Sequence, residues 1–105
     1  MTRQRLPNRR PSFTTKLVYE STSYSVTLGY DVRSDRIAEV FTHGAKVGSA
    51  MDRILDDICV ALSLLLQDGV EPAALAASMG RLGDGKSPAS IIGALADLIA
   101  RESRP

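Results

Sequence analysis

The hydrophobic pattern of this chain changes its period once, close to His43. Over residues 13–42 apolar and polar residues alternate, which is typical of strands with one face in solvent. From residue 50 onward apolar residues recur every three or four positions, which is the period of an amphipathic helix. A chain that switches once from strands to helices predicts an α+β fold rather than a parallel α/β sheet.

Three strands separated by two polar turns are predicted within the alternating segment. The clearest alternation covers residues 24–30, and a strand rich in branched and aromatic residues covers residues 36–42. The polar turns are residues 21–23 and 31–35. Because connections this short join antiparallel neighbours, we expect a three-stranded antiparallel meander.

The first of three predicted helices runs from about Ala50 to Gln67. Ser49 and Asp52 have the spacing of a capping pair, and Gly69 supplies a left-handed end. The predicted core stripe of this helix is Met51, Ile54, Leu55, Ile58, Leu62, Leu65 and Leu66.

The second half of this helix is apolar nearly all round, since only Ser63 is polar in residues 58–66. Such a segment is typically buried on more than one side, yet it is too short to cross a bilayer. We therefore expect a homodimer, with Val60 and Leu64 as contacts.

Two shorter helices are predicted to follow and to pack, like the first, on the meander. Pro72 opens the second helix and Gly80 closes it. Ser87 is the predicted N-cap of a third helix that begins at Pro88. The apolar face of the third helix is Ile91, Ile92, Leu95, Leu98 and Ile99.

The near-neutral charge of the chain hides an asymmetry. A length of 105 residues is that of one domain, and 13 basic against 12 acidic residues leave a net charge of +1. Residues 1–16 hold five bases and no acid, so the remainder carries eight bases and twelve acids, a net −4. We divide the chain into a basic arm, residues 1–12, and a single domain, residues 13–105.

Pro7 and Pro11 oppose a transit-peptide helix, which favours a cytoplasmic location.

Residue composition restricts the chemistry of the chain. One Cys and one His exclude a Cys/His zinc site within one chain, and a single Cys excludes an intrachain disulfide. Cys59 lies beside the apolar stripe and is predicted to be a small core residue rather than a catalytic thiol. We expect no metal, no cofactor and no catalytic residue.

The residues Gly80, Gly85, Lys86 and Ser87 match the nucleotide-binding P-loop pattern of Gly, four spacers, Gly, Lys and Ser. A P-loop needs a buried strand before the loop, whereas a helix is predicted there. Pro88 also removes an amide donor at the start of the next helix. The segment is therefore predicted to be an interhelical loop with Lys86 exposed.

A turn with a strand before it and a helix after it is a better candidate anion site. This Gly-turn, residues 44–49, offers two glycines for close backbone approach, free amides at a helix start and one lysine. The candidate anion-binding or nucleotide-binding residues are His43, Gly44, Lys46, Gly48 and Ser49. A flexible turn whose free amides Ser49 already caps is the alternative.

The basic arm has the composition of a phosphate-contacting tail. Arg3, Arg5, Arg9 and Arg10 could neutralise several phosphates with strongly salt-dependent affinity. A disordered solubilising tail is the alternative.

With its elements placed, the sequence resembles the TSCPD domain, which is found at the C-terminus of some cobalamin-dependent ribonucleotide reductases and as small stand-alone proteins. The resemblance covers about residues 9–100 and is carried by residues 24–30, 36–41, 44–49 and 62–69. The family is named after a Thr-Ser-Cys-Pro-Asp motif before the last helix. Aligned on Pro88, this chain has Ser87 for the Cys and Ala89 for the Asp, so only the Pro of the motif remains. The resemblance implies an accessory or nucleotide-related module and no reductase activity.

The sequence thus favours a non-catalytic accessory module that contacts nucleic acid or a nucleotide-handling protein partner. The alternative is a small enzyme or binding domain that uses the Gly-turn on a nucleotide or another phosphorylated metabolite. A third hypothesis, a purely structural subunit contact, rests on the apolar half of the first helix. No membrane contact is expected.

Overall fold

The computed structural model describes residues 11–43 and 49–103. Within them three strands precede three helices, which confirms the predicted α+β order. The strands are β1 (Ser12–Tyr19), β2 (Thr22–Asp31) and β3 (Arg36–His43). The helices are α1 (Ala50–Gln67), α2 (Pro72–Ser78) and α3 (Ile91–Glu102).

The strands form the predicted antiparallel meander, in the order β1-β2-β3. Glu20 and Ser21 form the two-residue turn between β1 and β2, and both have positive φ angles, as type I′ hairpin turns require. In β3 one extra residue, Ala38, interrupts the register between the pairs Gly29–Glu39 and Tyr30–Ile37. This bulge keeps apolar residues on one face of β3 despite the break in alternation.

One face of the sheet forms the floor of the hydrophobic core. Tyr24, Val26 and Leu28 of β2 are buried there, together with Ile37 and Val40 of β3. Buried residues of α1 and α3 complete the same cluster. The helices therefore cover this face, which leaves the opposite one to carry the exposed side chains.

Helix α1 begins and ends as its sequence predicts. The Ser49 side chain accepts a hydrogen bond of 3.0 Å from the backbone N–H of Asp52, and Gly69 has a φ of +96°. The predicted core stripe was wrong in part, because Met51, Ile54 and Leu65 are exposed and Ile58 is only half-buried. The buried residues are Leu55, Cys59, Leu62, Ser63 and Leu66.

Hydrogen bonds to the edge of the sheet explain why the buried side of α1 differs from the predicted stripe. The backbone N–H of Val40 donates to the Ser63 Oγ at 3.1 Å, and Gln67 Nε2 donates to the Ala38 carbonyl at 3.0 Å. These backbone groups lie on the side of β3 that faces away from β2. Two polar side chains of α1 thus close a strand edge that would otherwise expose unpaired groups.

Helix α3 begins later than predicted. Its N-cap is Ser90, whose hydroxyl accepts from the Gly93 N–H at 3.1 Å, and its first residue is Ile91. The predicted start at Pro88 with Ser87 as the cap was wrong, because the Ser87 side chain instead donates to Asp84. Most of α3 is buried, including its small residues Gly93, Ala94 and Ala96.

Candidate nucleic-acid interface

The face of the sheet opposite the helices, called here the outer face, is built in rows by the strand register. Lys16 lies opposite Ser25, and Ser25 lies opposite His43. The next row contains Thr14, Thr27 and Phe41. The exposed side chains of the outer face are Ser12, Thr14, Lys16, Val18, Ser23, Ser25, Phe41 and His43.

Phe41 is the most unusual residue of this face. It is 46% exposed, although a large aromatic side chain gains most by burial. Beside it the hydroxyls of Thr14 and Thr27 hydrogen-bond to each other at 2.8 Å, which leaves a short polar surface next to the ring.

The exposed part of the outer face carries a cation and an imidazole but no carboxylate among the residues the structure describes. Lys16 and His43 occupy the ends of one row, and Glu39, which the register places on the same face in the row of Ser12 and Gly29, is buried. The exposed acids on α1, such as Asp56 and Asp57, lie on the solvent side of that helix. The electrostatics of the outer face therefore suit an anionic ligand better than the helical side does.

Several predicted anion-binding residues lie outside the described residues. These are Arg3, Arg5, Arg9 and Arg10 of the basic arm, and Gly44, Lys46 and Gly48 of the Gly-turn. Chain connectivity nevertheless fixes where both segments join the sheet, since the arm leads into β1 at Ser12 and the turn leaves β3 at His43. With about 3.3 Å per residue and about 4.8 Å per strand, these two points lie about 16 Å apart.

Two predicted site residues are described. His43 is exposed at the end of β3, in the same row as Lys16. The Ser49 hydroxyl caps α1 by accepting from the Asp52 N–H, which is the capping that the alternative interpretation of the Gly-turn predicted. The sequence analysis counted Lys16 among the bases of residues 1–16 but missed Phe41 as a candidate site residue. The position of Lys16 on the polar side of β1 was a signal, whereas the face that Phe41 occupies depends on the bulge in β3.

The segment that matches the P-loop pattern is an interhelical loop with Lys86 exposed, as predicted. The Asp84 carboxylate accepts hydrogen bonds from the backbone N–H groups of Lys86 and Ser87, both at 2.8 Å. A hydrogen bond from the Ser87 hydroxyl, together with these two amide bonds, lowers the pKa of Asp84 to about 2. A carboxylate of the protein thus takes the amides that a P-loop would offer to phosphate.

Cys59 is a core residue, as predicted. It is 4% exposed, and burial raises the pKa of its thiol, which opposes formation of a thiolate. Within residues 11–43 and 49–103, no group of three or more His, Cys, Asp or Glu side chains could hold a metal ion.

A depression of about 380 Å³ lies at the turn between β2 and β3, at the opposite end of β3 from the Gly-turn. It is lined in part by Arg33, Arg36 and Gln67. Both arginines face carboxylates: Arg33 pairs with Asp31 at 3.3 Å and Arg36 pairs with Glu71 at 3.0 Å. The depression therefore offers less uncompensated positive charge than the outer face.

The structure defines the chain as a small α+β domain in which helices cover one face of a three-stranded meander. None of the described helices is long and apolar enough to cross a membrane. The family model of the TSCPD domain matches residues 2–103, and the chain therefore belongs to the TSCPD domain family. That membership supports a ribonucleotide reductase-like domain. No curated protein and no solved structure matches the chain.

Proposed function

We propose that this chain is a non-catalytic accessory module that contacts nucleic acid with its basic arm, its outer face and its Gly-turn. One observation carries the proposal: the basic arm joins the sheet at Ser12 and the Gly-turn leaves it at His43, at diagonally opposite corners of the outer face. Both junctions flank a surface whose exposed described residues include no acid.

The location of the acids elsewhere makes the arm necessary for this function. Residues 17–105 carry eight bases and twelve acids, so they repel a polyanion as a whole. Arginines concentrated in residues 1–10 can hold phosphates close to the outer face, where repulsion is weakest. Affinity should then depend strongly on salt, because each phosphate contact releases counterions.

The lone thiol and the two serines of the candidate anion sites offer no activated nucleophile, which agrees with a non-catalytic module. Cys59 is a buried thiol with a raised pKa, while the hydroxyls of Ser49 and Ser87 are engaged in local hydrogen bonds. A nucleophile needs exposure and an adjacent base.

Binding of labelled oligonucleotides, measured by fluorescence anisotropy at several salt concentrations, tests the proposal. Arg9→Gln with Arg10→Gln should flatten the log–log salt dependence by about 1.4, from about 0.7 per contact on a single strand. Arg53→Gln with Arg101→Gln is the matched control, since it removes the same charge from two exposed helical positions and should leave the slope unchanged.

Three outcomes would contradict the proposal. No measurable affinity for DNA or RNA at about 50 mM salt would remove the nucleic-acid function. Equal effects of the two double variants would show that only net charge matters. Saturable binding of a mononucleotide that survives deletion of residues 2–10 would favour the phosphometabolite alternative.

A further inference from the structure

We propose that Phe41 is a base-stacking platform, and that the outer face consequently selects single-stranded over duplex nucleic acid. This inference rests on the proposed function and specifies its ligand. A stacked base would lie on the Phe41 ring while its neighbouring phosphates approach Lys16 and His43.

The distribution of aromatic residues is the first argument. The chain has five aromatic residues, and four of them belong to the core or pack against it: Phe13, Tyr19, Tyr24 and Tyr30. Within this group Phe13 and Tyr30 stack on each other with ring centroids 6.0 Å apart. Phe41 alone lies on the outer face, where 46% of it is exposed and no aromatic partner shares its row.

The position of Phe41 within the sheet is the second argument. It pairs with Thr27 in the central strand, so a rigid, hydrogen-bonded backbone holds the ring rather than a loop. Aromatic side chains on a sheet surface are well suited to stacking on unpaired bases, and every base offers a face for this contact. In a duplex these faces are covered by the adjacent base pairs.

Charge is the third argument, because polar and charged neighbours of Phe41 favour a nucleic acid over an apolar protein partner. His43 lies two residues from Phe41 on the same face, about 7 Å along the strand. Lys16 lies in the same row and on the same face as His43, at the opposite edge of the sheet. Glu39 lies two residues to the other side of Phe41 on this face, but it is buried, so the exposed neighbours of the ring are polar or cationic. This arrangement matches the combination of stacking and phosphate contacts that single strands require.

The chain contains no tryptophan, which permits a direct optical test. Phe41→Trp would introduce the sole indole of the protein at the proposed platform. We expect its fluorescence to be quenched on addition of oligo(dT) or oligo(U), and to change little with a duplex of equal length. Val32→Trp is the matched control, because Val32 is similarly exposed but lies in the turn after β2.

Affinity of the protein for the same oligonucleotides gives a second measurement. Phe41→Ala should weaken single-strand binding by about 5- to 150-fold, the range expected for loss of one stacked base. Val18→Ala, at an exposed aliphatic residue of the same face, should weaken it less than twofold. The salt dependence should stay unchanged in both variants, because neither removes a charge.

The results distinguish failure of this inference from failure of the proposed function. If the wild-type protein binds no nucleic acid, both fall. If it binds single strands and duplexes equally and Phe41→Ala has no effect, the stacking platform is wrong while the arm-based function stands. If Phe41→Ala instead changes the sedimentation of the free protein, the outer face is a contact between protein chains and the platform is overturned.

Discussion

Removal of the Ser63 hydroxyl should destabilise the fold although it deletes a single atom. Ser63 is 4% exposed, and its Oγ is the acceptor for the backbone N–H of Val40 at 3.1 Å. In Ser63→Ala that N–H faces a methyl group on the closed edge of β3. A buried donor left without a partner costs about 1–3 kcal/mol.

Helix propensity offsets part of this cost. Alanine is favoured over serine within a helix by about 0.5 kcal/mol, so the expected net loss in the free energy of unfolding is about 0.5–2.5 kcal/mol. For a domain of this size the melting temperature should fall by about 2–20 °C. Total stabilities are only about 5–15 kcal/mol, so the change is a large fraction of the whole.

Urea unfolding followed by circular dichroism measures this loss, with hydrogen exchange at the Val40 amide as the local readout. Ser78→Ala is the matched control, because Ser78 donates to the Ala74 carbonyl on the exposed surface of α2. This control should lie within about 0.5 kcal/mol of the wild type. Equal stability of Ser63→Ala and Ser78→Ala, with unchanged exchange at Val40, would refute the role of Ser63 in closing the strand edge.

Three further predictions address other parts of the molecule. Arg81 lowers the pKa of Asp97 through a paired hydrogen bond, so Asp97→Asn should reduce the melting temperature at neutral pH. The difference from wild type should vanish as pH falls through the folded-state pKa of Asp97, which lies below 3.8, and a difference that grows in acid would contradict this. Lys86→Ala should leave stability and nucleotide binding unchanged in thermal shift and binding assays, and loss of a magnesium-dependent ATPase activity in this variant would be the contrary result. Sedimentation at tens of micromolar should show a homodimer that Val60→Glu with Leu64→Glu converts to monomer; a monomeric wild type would rule out the dimer.

The order and type of the elements followed from local signals in the sequence. The period-two alternation in β2, the Ser49 cap and the left-handed Gly69 each act over a few residues, so they can be recognised without knowledge of the fold. The predicted boundaries of α1 are correct for the same reason.

The errors arose where distant contacts decide the local structure. Ser87 has the sequence context of a cap, but it donates to Asp84, and Ser90 caps α3 instead. Helix α1 buries the side that carries Ser63 because this side chain pairs with the edge of β3. Hydrophobic periodicity cannot reveal such a polar contact.

The candidate interface was predictable only in part. The sequence singled out His43, the Gly-turn and the basic arm as candidates, but the alignment of Lys16 with His43 depends on the register of two strand pairs. Phe41 resembled an ordinary strand residue until the bulge at Ala38 fixed which face it occupies. The arginines of the arm remain a prediction.

The position of α3 far along the chain from the strands has a consequence for folding. All three strands are complete by His43, yet Leu95, Leu98 and Ile99 at the centre of the core belong to a helix about fifty residues further on. The apolar face of the sheet therefore stays uncovered until this long-range contact forms, and such contacts slow folding. Local undocking of α3 should expose the same apolar face to chaperones and proteases.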